Sequence, residues 1–151
     1  METLLRDYTH NDLPEILEIT NYYIHNSTAL YDYLPRTLVF QENFFSEKLK
    51  KEFPVIVAII DNKVVGFGYF GEFRMREAYK FTVEHSVYVH HKYTKHGIGK
   101  QLLTVVMADA SIWFDFLNTH APDAAYGFYR RAGFTLVSDE PRVTHRLFCA
   151  V

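Results

Sequence analysis

The residues able to do chemistry in this chain of 151 concentrate in one stretch, TVEHSVYVHHKYTKHGIGKQLL, from Thr82 to Leu103. Its first half alternates like a strand. Thr82, Glu84, Ser86 and Tyr88 fall on one face, and Val83, His85, Val87 and Val89 on the other. A carboxylate in mid-strand, Glu84, can take a proton directly or through water if it faces a cleft. An isolated glutamate on a half-exposed strand is more commonly just solvated. The second half opens a helix on Gly97 and Gly99, with Ile98, Leu102, Leu103 and Val106 returning at helical spacing. The N–H groups from about Lys95 to Lys100 then suit an anion such as a pyrophosphate, and Lys95, His96 and Lys100 add positive charge. The turn alone fits an ordinary glycine-rich helix start equally well.

Other chemistries find less support. The third glycine of a dinucleotide fingerprint is replaced by Leu102, and the strands before it read as a meander, not a βαβ unit. Neither a GxxxxGK[ST] loop nor a GxSxG elbow occurs. His90 and His91 are adjacent and so point to opposite sides of an extended chain. No cysteine or acidic cluster completes a tetrahedral set, and no metal is expected. The lone Cys149 has no evident base and reads as a small packed residue. Tyr129 sits in a helical segment, where an aromatic is usually core, although a tyrosine hydroxyl at a helix end can also donate a proton.

The elements that must hold these residues are readable in order. A short strand spans about Thr3 to Tyr8. Thr9 to Asp12 resembles a cap and Pro14 fits a first turn, so helix 1 is predicted from about Asp12 to Ile24. A second helix is predicted from about Thr37 to Glu52, with Leu38, Phe45 and Leu49 inward. Val55–Ile60 and Val64–Phe70 form a hairpin about Asp61-Asn62. Gly66 and Gly68 inside its second strand suggest a bulge or a close approach. A charged connection, EFRMREAYK, leads to the strand Phe81–Val89, then helix 3 (Gly97–Ala110) and a strand at Ile112–Leu117. The helix Ala121–Ala132 follows, and a last hairpin pairs Phe134–Val137 with Val143–Phe148. The order implies one α/β domain over residues 1–151 with a mixed sheet.

Composition narrows the partners. A net charge of −2 gives no electrostatic case for nucleic acid, and no apolar run approaches the roughly 20 residues that span a bilayer. The N-terminal METLLRDYTHND lacks an apolar signal region and the single cysteine fits a reducing compartment, so a soluble cytoplasmic protein is expected.

Taken together, the motifs resemble the GCN5-related N-acetyltransferase (GNAT) superfamily, and within it the phosphinothricin acetyltransferase-like group. TVExSVYV followed by H-x-x-Y-R-x-x-G-x-G is matched by Thr82–Val89 and HHKYTKHGIG. LPEILEITNYYIHNSTA, the FRxRxAY stretch from Phe73 to Tyr79, and NTHAPDAAYGFYRRAGF are similar too. The resemblance implies a mixed, mostly antiparallel central sheet with helices on both faces and a splay between strands 4 and 5. It implies acetyl-CoA as donor, no metal, and a small-molecule primary amine as acceptor, an amino acid or an analogue such as phosphinothricin or methionine sulfoximine. A protein or peptide amine, or a CoA-binding module without catalysis, are the rival readings, and a homodimer is left open. By the same resemblance Glu84 is the general base and Tyr129 the acid for the departing thiolate. Val87, Tyr88 and Val89 would bond the pantetheine arm through their backbone, and Lys95, His96, Gly97, Ile98, Gly99 and Lys100 would cradle the pyrophosphate. Asn118 would contact the pantetheine. Arg74, Arg76 and Tyr79 are candidates for the acceptor's carboxylate, which arginine reads bidentately; a solvated charged loop is their alternative. Thr94 and Lys95 depart from the Arg or Gln and the glycine usual in that turn, and the tail SDEPRVTHRLFCAV is shorter than the family's.

Overall fold

The structure is a computed structural model. It describes all residues except 31, 122, 141–143 and 151; for residues 118, 120, 121, 123, 124, 136–140 and 144–150 it describes the backbone alone. The chain forms two compact units, Met1–Phe70 with Ser86–Val106, and Gly71–His85 with Met107–Val151.

In the first unit β1 (Leu4–Asp7) pairs antiparallel with β2 (Val55–Ile60), and β2 with β3 (Lys63–Glu72). Asp61 and Asn62 close that hairpin with φ of 48° and 62°, the left-handed pair a tight two-residue hairpin turn demands. Both readings of the β3 glycines hold. The register shifts opposite Ala58 and Ile59, which pair with Gly66 and Val64 and leave Val65 as the extra residue. A side chain at Gly66 would stand 2.9 Å from the backbone oxygen of Tyr88.

Alternation on β2 and β3 feeds two apolar layers. Val55, Val57, Phe67 and Tyr69 pack with Leu13, Ile16 and Ile19 of α1 (Leu13–Asn26) and Phe45 of α2 (Leu38–Lys50). Ile56, Ala58, Ile60 and Val65 pack on the other side with Ile98 and Leu102 of α3 (Ile98–Ser111). Helices thus cover both faces, and a sheet buried on both faces explains why β2 reads as an unbroken apolar run. The expected inner face of α2 is corrected at its ends. Phe45 is fully buried beside Gln41, but Leu38 and Leu49 are 45% and 48% exposed, because the buried stripe extends only over the middle turns. The Thr9 cap is present in a fuller form: Asp12 Oδ2 accepts the Thr9 N–H at 2.7 Å and hydroxyl at 3.0 Å, and both Asp12 oxygens accept from Arg6 at 2.7 Å.

β4 (Thr82–Val89) passes from the second unit into the first. In the second unit the strand order is β4, β5 (Phe116–Ala121), β7 (Thr144–Ala150), β6 (Thr135–Glu140). β4 and β5 are parallel over Thr82↔Phe116, Val83↔Leu117 and Glu84↔Asn118. The described register ceases there while β4 continues to Val89 and β5 to Ala121, the splay expected of these strands. The other ladders of the unit are antiparallel, so the sheet is mixed. The last hairpin forms as expected; Val143, the anticipated first residue of its second strand, lies outside the described residues.

One strand assignment is corrected. Ile112 and Trp113 do not begin β5; their N–H groups bond back to Asp109 and Ala110 carbonyls and that of Phe114 to Ala110, closing α3. Both apolar side chains are exposed, at 65% and 77%. β5 begins once Asp115 and Phe116 reach the carbonyl of Phe81. α4 (Asp123–Arg131) ends at Gly133, whose φ of 98° suits glycine.

Candidate active site

The glycine turn belongs to the first unit. His91–Tyr93 form a single 3₁₀ turn, started by His90 Nδ1 accepting the Lys92 N–H and closed by the Thr94 hydroxyl donating to the His91 carbonyl. Thr94 therefore stabilises the turn whatever charge it lacks. Lys95 and Gly97 then adopt φ of 67° and 78°, flanking His96, whose Nδ1–H is positioned to donate to the Thr94 carbonyl at 2.8 Å. Left-handed residues alternating with others turn successive N–H groups toward one concavity, a shape that takes anions. Gly97 caps α3, its carbonyl receiving the Gln101 N–H at 3.1 Å. The N–H groups of Ile98, Gly99 and Lys100 therefore lie in the first turn, where the helix provides no acceptor. Ile98 is buried and anchors the turn, whereas Lys95, His96, Gly97 and Lys100 are exposed. Nothing lies within 4 Å of where a side chain at Gly97 would stand. An open turn with free first-turn N–H groups is the kind of surface that takes anions.

The end of β4 beside it divides by alternation. The Tyr88 carbonyl lies against Gly66 of β3, and the His90 N–H donates to the Val65 carbonyl at 2.8 Å. The backbone groups of Val87 and Val89 consequently turn away from β3. One of these is engaged: the Tyr23 hydroxyl donates to the Val89 carbonyl at 2.5 Å. Of the three residues expected at the pantetheine, Val87 and Val89 turn their backbone groups away from β3, while Tyr88 packs its ring on Phe67 and Tyr23.

The second unit holds the other candidates. Glu84 is half-buried on β4, in register with Asn118; the side chain of Asn118 lies outside the described residues. Tyr129 on α4 is 7% exposed, its ring edge-on to His85 at 5.3 Å and to Phe134 at 5.3 Å. Burial pushes its phenol up to about 12, against a hydrogen bond from Thr119 that favours the ionised form. At neutral pH Tyr129 holds its proton and can donate it. Thr119 and His85, both 2% exposed, were not singled out in the sequence as parts of a site. The available signal was period two: Leu117 and Thr119 share the buried face of β5, as Val83 and His85 do on β4. On the connection before β4, the Arg74 guanidinium lies 5.1 Å from the Phe73 ring centre and 5.5 Å from that of Tyr79, and those two rings meet edge to face. Arg76 is exposed. Among the described residues no three His, Cys, Asp or Glu side chains gather to hold a metal ion, and no helix is long and apolar enough to cross a membrane.

A mixed sheet whose one parallel pair, β4 and β5, is in register over three residues and then splays, with a glycine turn and helix following β4, defines an acyl-CoA-dependent acyltransferase class. The acetyltransferase (GNAT) domain family matches residues 51–136. The chain is 32% identical over 148 residues to an L-methionine sulfoximine/L-methionine sulfone acetyltransferase of Pseudomonas aeruginosa, covering 95% of this chain and 86% of that protein. It is 36% identical over 101 residues to a phosphinothricin N-acetyltransferase of Streptomyces viridochromogenes, covering 66% of this chain and 54% of the relative. The crystal structure of a phosphinothricin acetyltransferase from Sinorhizobium meliloti, in complex with AcCoA, superposes with a TM-score of 0.89 at 28% identity, over 98% of this chain and 86% of that one. This chain belongs to the GNAT acetyltransferase family.

Proposed function

We propose that this protein transfers an acetyl group from acetyl-CoA to the α-amine of a small amino-acid-like acceptor, in the class of methionine sulfoximine and phosphinothricin. The single observation that carries the acceptor reading is Arg74, a cation held against two aromatic rings ahead of β4. Such a guanidinium is pre-oriented to receive a carboxylate in fork geometry. The donor supplies an activated acyl group as a thioester. Lys95 to Lys100 would hold its pyrophosphate, with Val87 and Val89 offering backbone partners to the arm.

Glu84 takes a proton from the incoming ammonium, freeing the lone pair that forms the C–N bond. As the C–S bond breaks and sulfur departs with its electron pair, Tyr129 hydrogen-bonds to it. The ammonium loses two protons in all: one leaves through Glu84 to solvent and one completes the thiol. The test mixes purified protein with acetyl-CoA and a panel of amino acids, methionine sulfoximine, phosphinothricin and a peptide, and follows free thiol. Release with the small amino acids and analogues is expected. Release with the peptide alone would overturn the acceptor reading, and tight CoA binding without release to any amine would leave a binding module. Failure to bind CoA would overturn the donor reading.

A further inference from the structure

Tyr23 stands 66 residues before the strand end it touches and takes no part in the acyl transfer proposed above. It lies in the last turn of α1, where its carbonyl accepts the Ser27 N–H at 3.0 Å and the Ser27 hydroxyl at 2.9 Å. Its half-buried ring meets Tyr22 edge to face at 5.4 Å and lies tilted against Tyr88 at 6.0 Å. Backbone and ring are thus fixed before the hydroxyl is placed, and little rotamer freedom is left to lose. That hydroxyl donates to the Val89 carbonyl at 2.5 Å. The other half of the same peptide unit, the His90 N–H, donates to the Val65 carbonyl at 2.8 Å. A trans peptide is planar, with its N–H and C=O on opposite sides, so α1 and β3 grip one plane from its two edges. That plane is the joint where β4 gives way to the 3₁₀ turn of His91–Tyr93 and, beyond it, to the glycine turn. Burial pushes the Tyr23 phenol above its ordinary value, so at neutral pH it remains a donor.

We propose that Tyr23 is a positioning residue for donor binding, its hydroxyl holding the Val89–His90 peptide so that the edge of β4 and the glycine turn keep one relative orientation. This rests on the reading that Val87 and Val89 meet the arm and Lys95 to Lys100 the pyrophosphate. A ligand that reaches both half-sites gains from a rigid joint, because the second contact is already in place when the first forms. A ligand that uses the glycine turn alone gains nothing from it.

The test compares two ligands in wild type and in Y23F, which removes the hydroxyl and keeps the ring. One is CoA, which spans both half-sites; the other is adenosine 3′-phosphate 5′-diphosphate, its nucleotide half without the arm. By calorimetry Y23F is expected to bind CoA about fivefold more weakly, the loss of one hydrogen bond, and the nucleotide half within about twofold of wild type. The KM of acetyl-CoA should rise with the CoA constant, while the acceptor KM stays within about twofold. CoA affinity equal to wild type, or a nucleotide half weakened as much as CoA, overturns the proposal and leaves Tyr23 a packing residue. Wild type that binds the nucleotide half as tightly as CoA overturns it through the reading of Val87 and Val89, and wild type that binds neither overturns it through the donor reading. If Y23F does not fold by circular dichroism, 3-fluorotyrosine at position 23 takes its place. Ionising this more acidic phenol by raising the pH should weaken CoA binding relative to wild type and spare the nucleotide half. Parallel behaviour of the two proteins overturns the proposal.

Discussion

In the proposed mechanism Glu84 and Tyr129 divide the proton traffic, and their environments differ accordingly. Glu84 is half-buried and Tyr129 lies in an aromatic enclosure. Glu84→Gln keeps shape and hydrogen bonding but removes the base, so kcat should fall by about 100-fold or more while CoA affinity, read by calorimetry, stays near wild type. A parallel fall in affinity would make Glu84 a structural residue. At Arg74, a lysine keeps the charge but loses the planar fork. Arg74→Lys should raise the KM of the amino-acid acceptor about tenfold or more and leave that of acetyl-CoA unchanged; an unaltered acceptor KM would remove Arg74 from the site. The motif pattern made Glu84 and Arg74 candidates because both are chemically distinctive types at marked positions.

At the scale of elements, the strand–turn–helix unit is held from behind. Gly66 brings β3 against the Tyr88 carbonyl, and the unpaired Val65 reaches the first residue after β4. Gly66→Ala would place a methyl 2.9 Å from that carbonyl, and overpacking of this kind costs about 1–3 kcal/mol. A lower melting temperature together with weaker CoA binding is expected; wild-type values for both would mean that the strands shift without consequence. At Gly97, asparagine and aspartate are similar in size and both tolerate a left-handed backbone, so comparing Gly97→Asn with Gly97→Asp isolates charge. Gly97→Asp should bind CoA more weakly than Gly97→Asn, and added salt should narrow the difference. Equal affinities would place the phosphates elsewhere. The hairpin, both glycine roles and helices α1 and α3 were readable because turn chemistry and periodicity agree there. Ile112 and Trp113 misled because an apolar run looks like a strand, whereas their backbone is committed to the end of α3 and their side chains meet solvent.

At the scale of the molecule, acid sensitivity should centre on Asp12. Burial works to raise its carboxyl, but hydrogen bonds from Arg6 and Thr9 outweigh that and hold it below its ordinary value. A carboxyl lowered by folding contributes stability above its unfolded pKa, near 3.9, that is lost as pH falls through the folded value. Arg6 is 37% exposed at the side chain, so solvent screening tempers the effect. Asp12→Asn should melt lower than wild type at neutral pH, with the gap closing from about pH 4 downward. A gap that stays constant into acid would assign the loss to the cap's geometry instead.

How such melts are observed is itself decided by the end of α3. Trp113 is the chain's only tryptophan and is 77% exposed. Its indole already emits from water in the native protein, and unfolding moves it from water to water. The emission maximum should therefore shift little on denaturation, and a soluble quencher should reach the native state. The 11 tyrosines are the better reporters: exciting them and watching transfer to a single external acceptor registers the loss of compactness that the acceptor's own colour conceals.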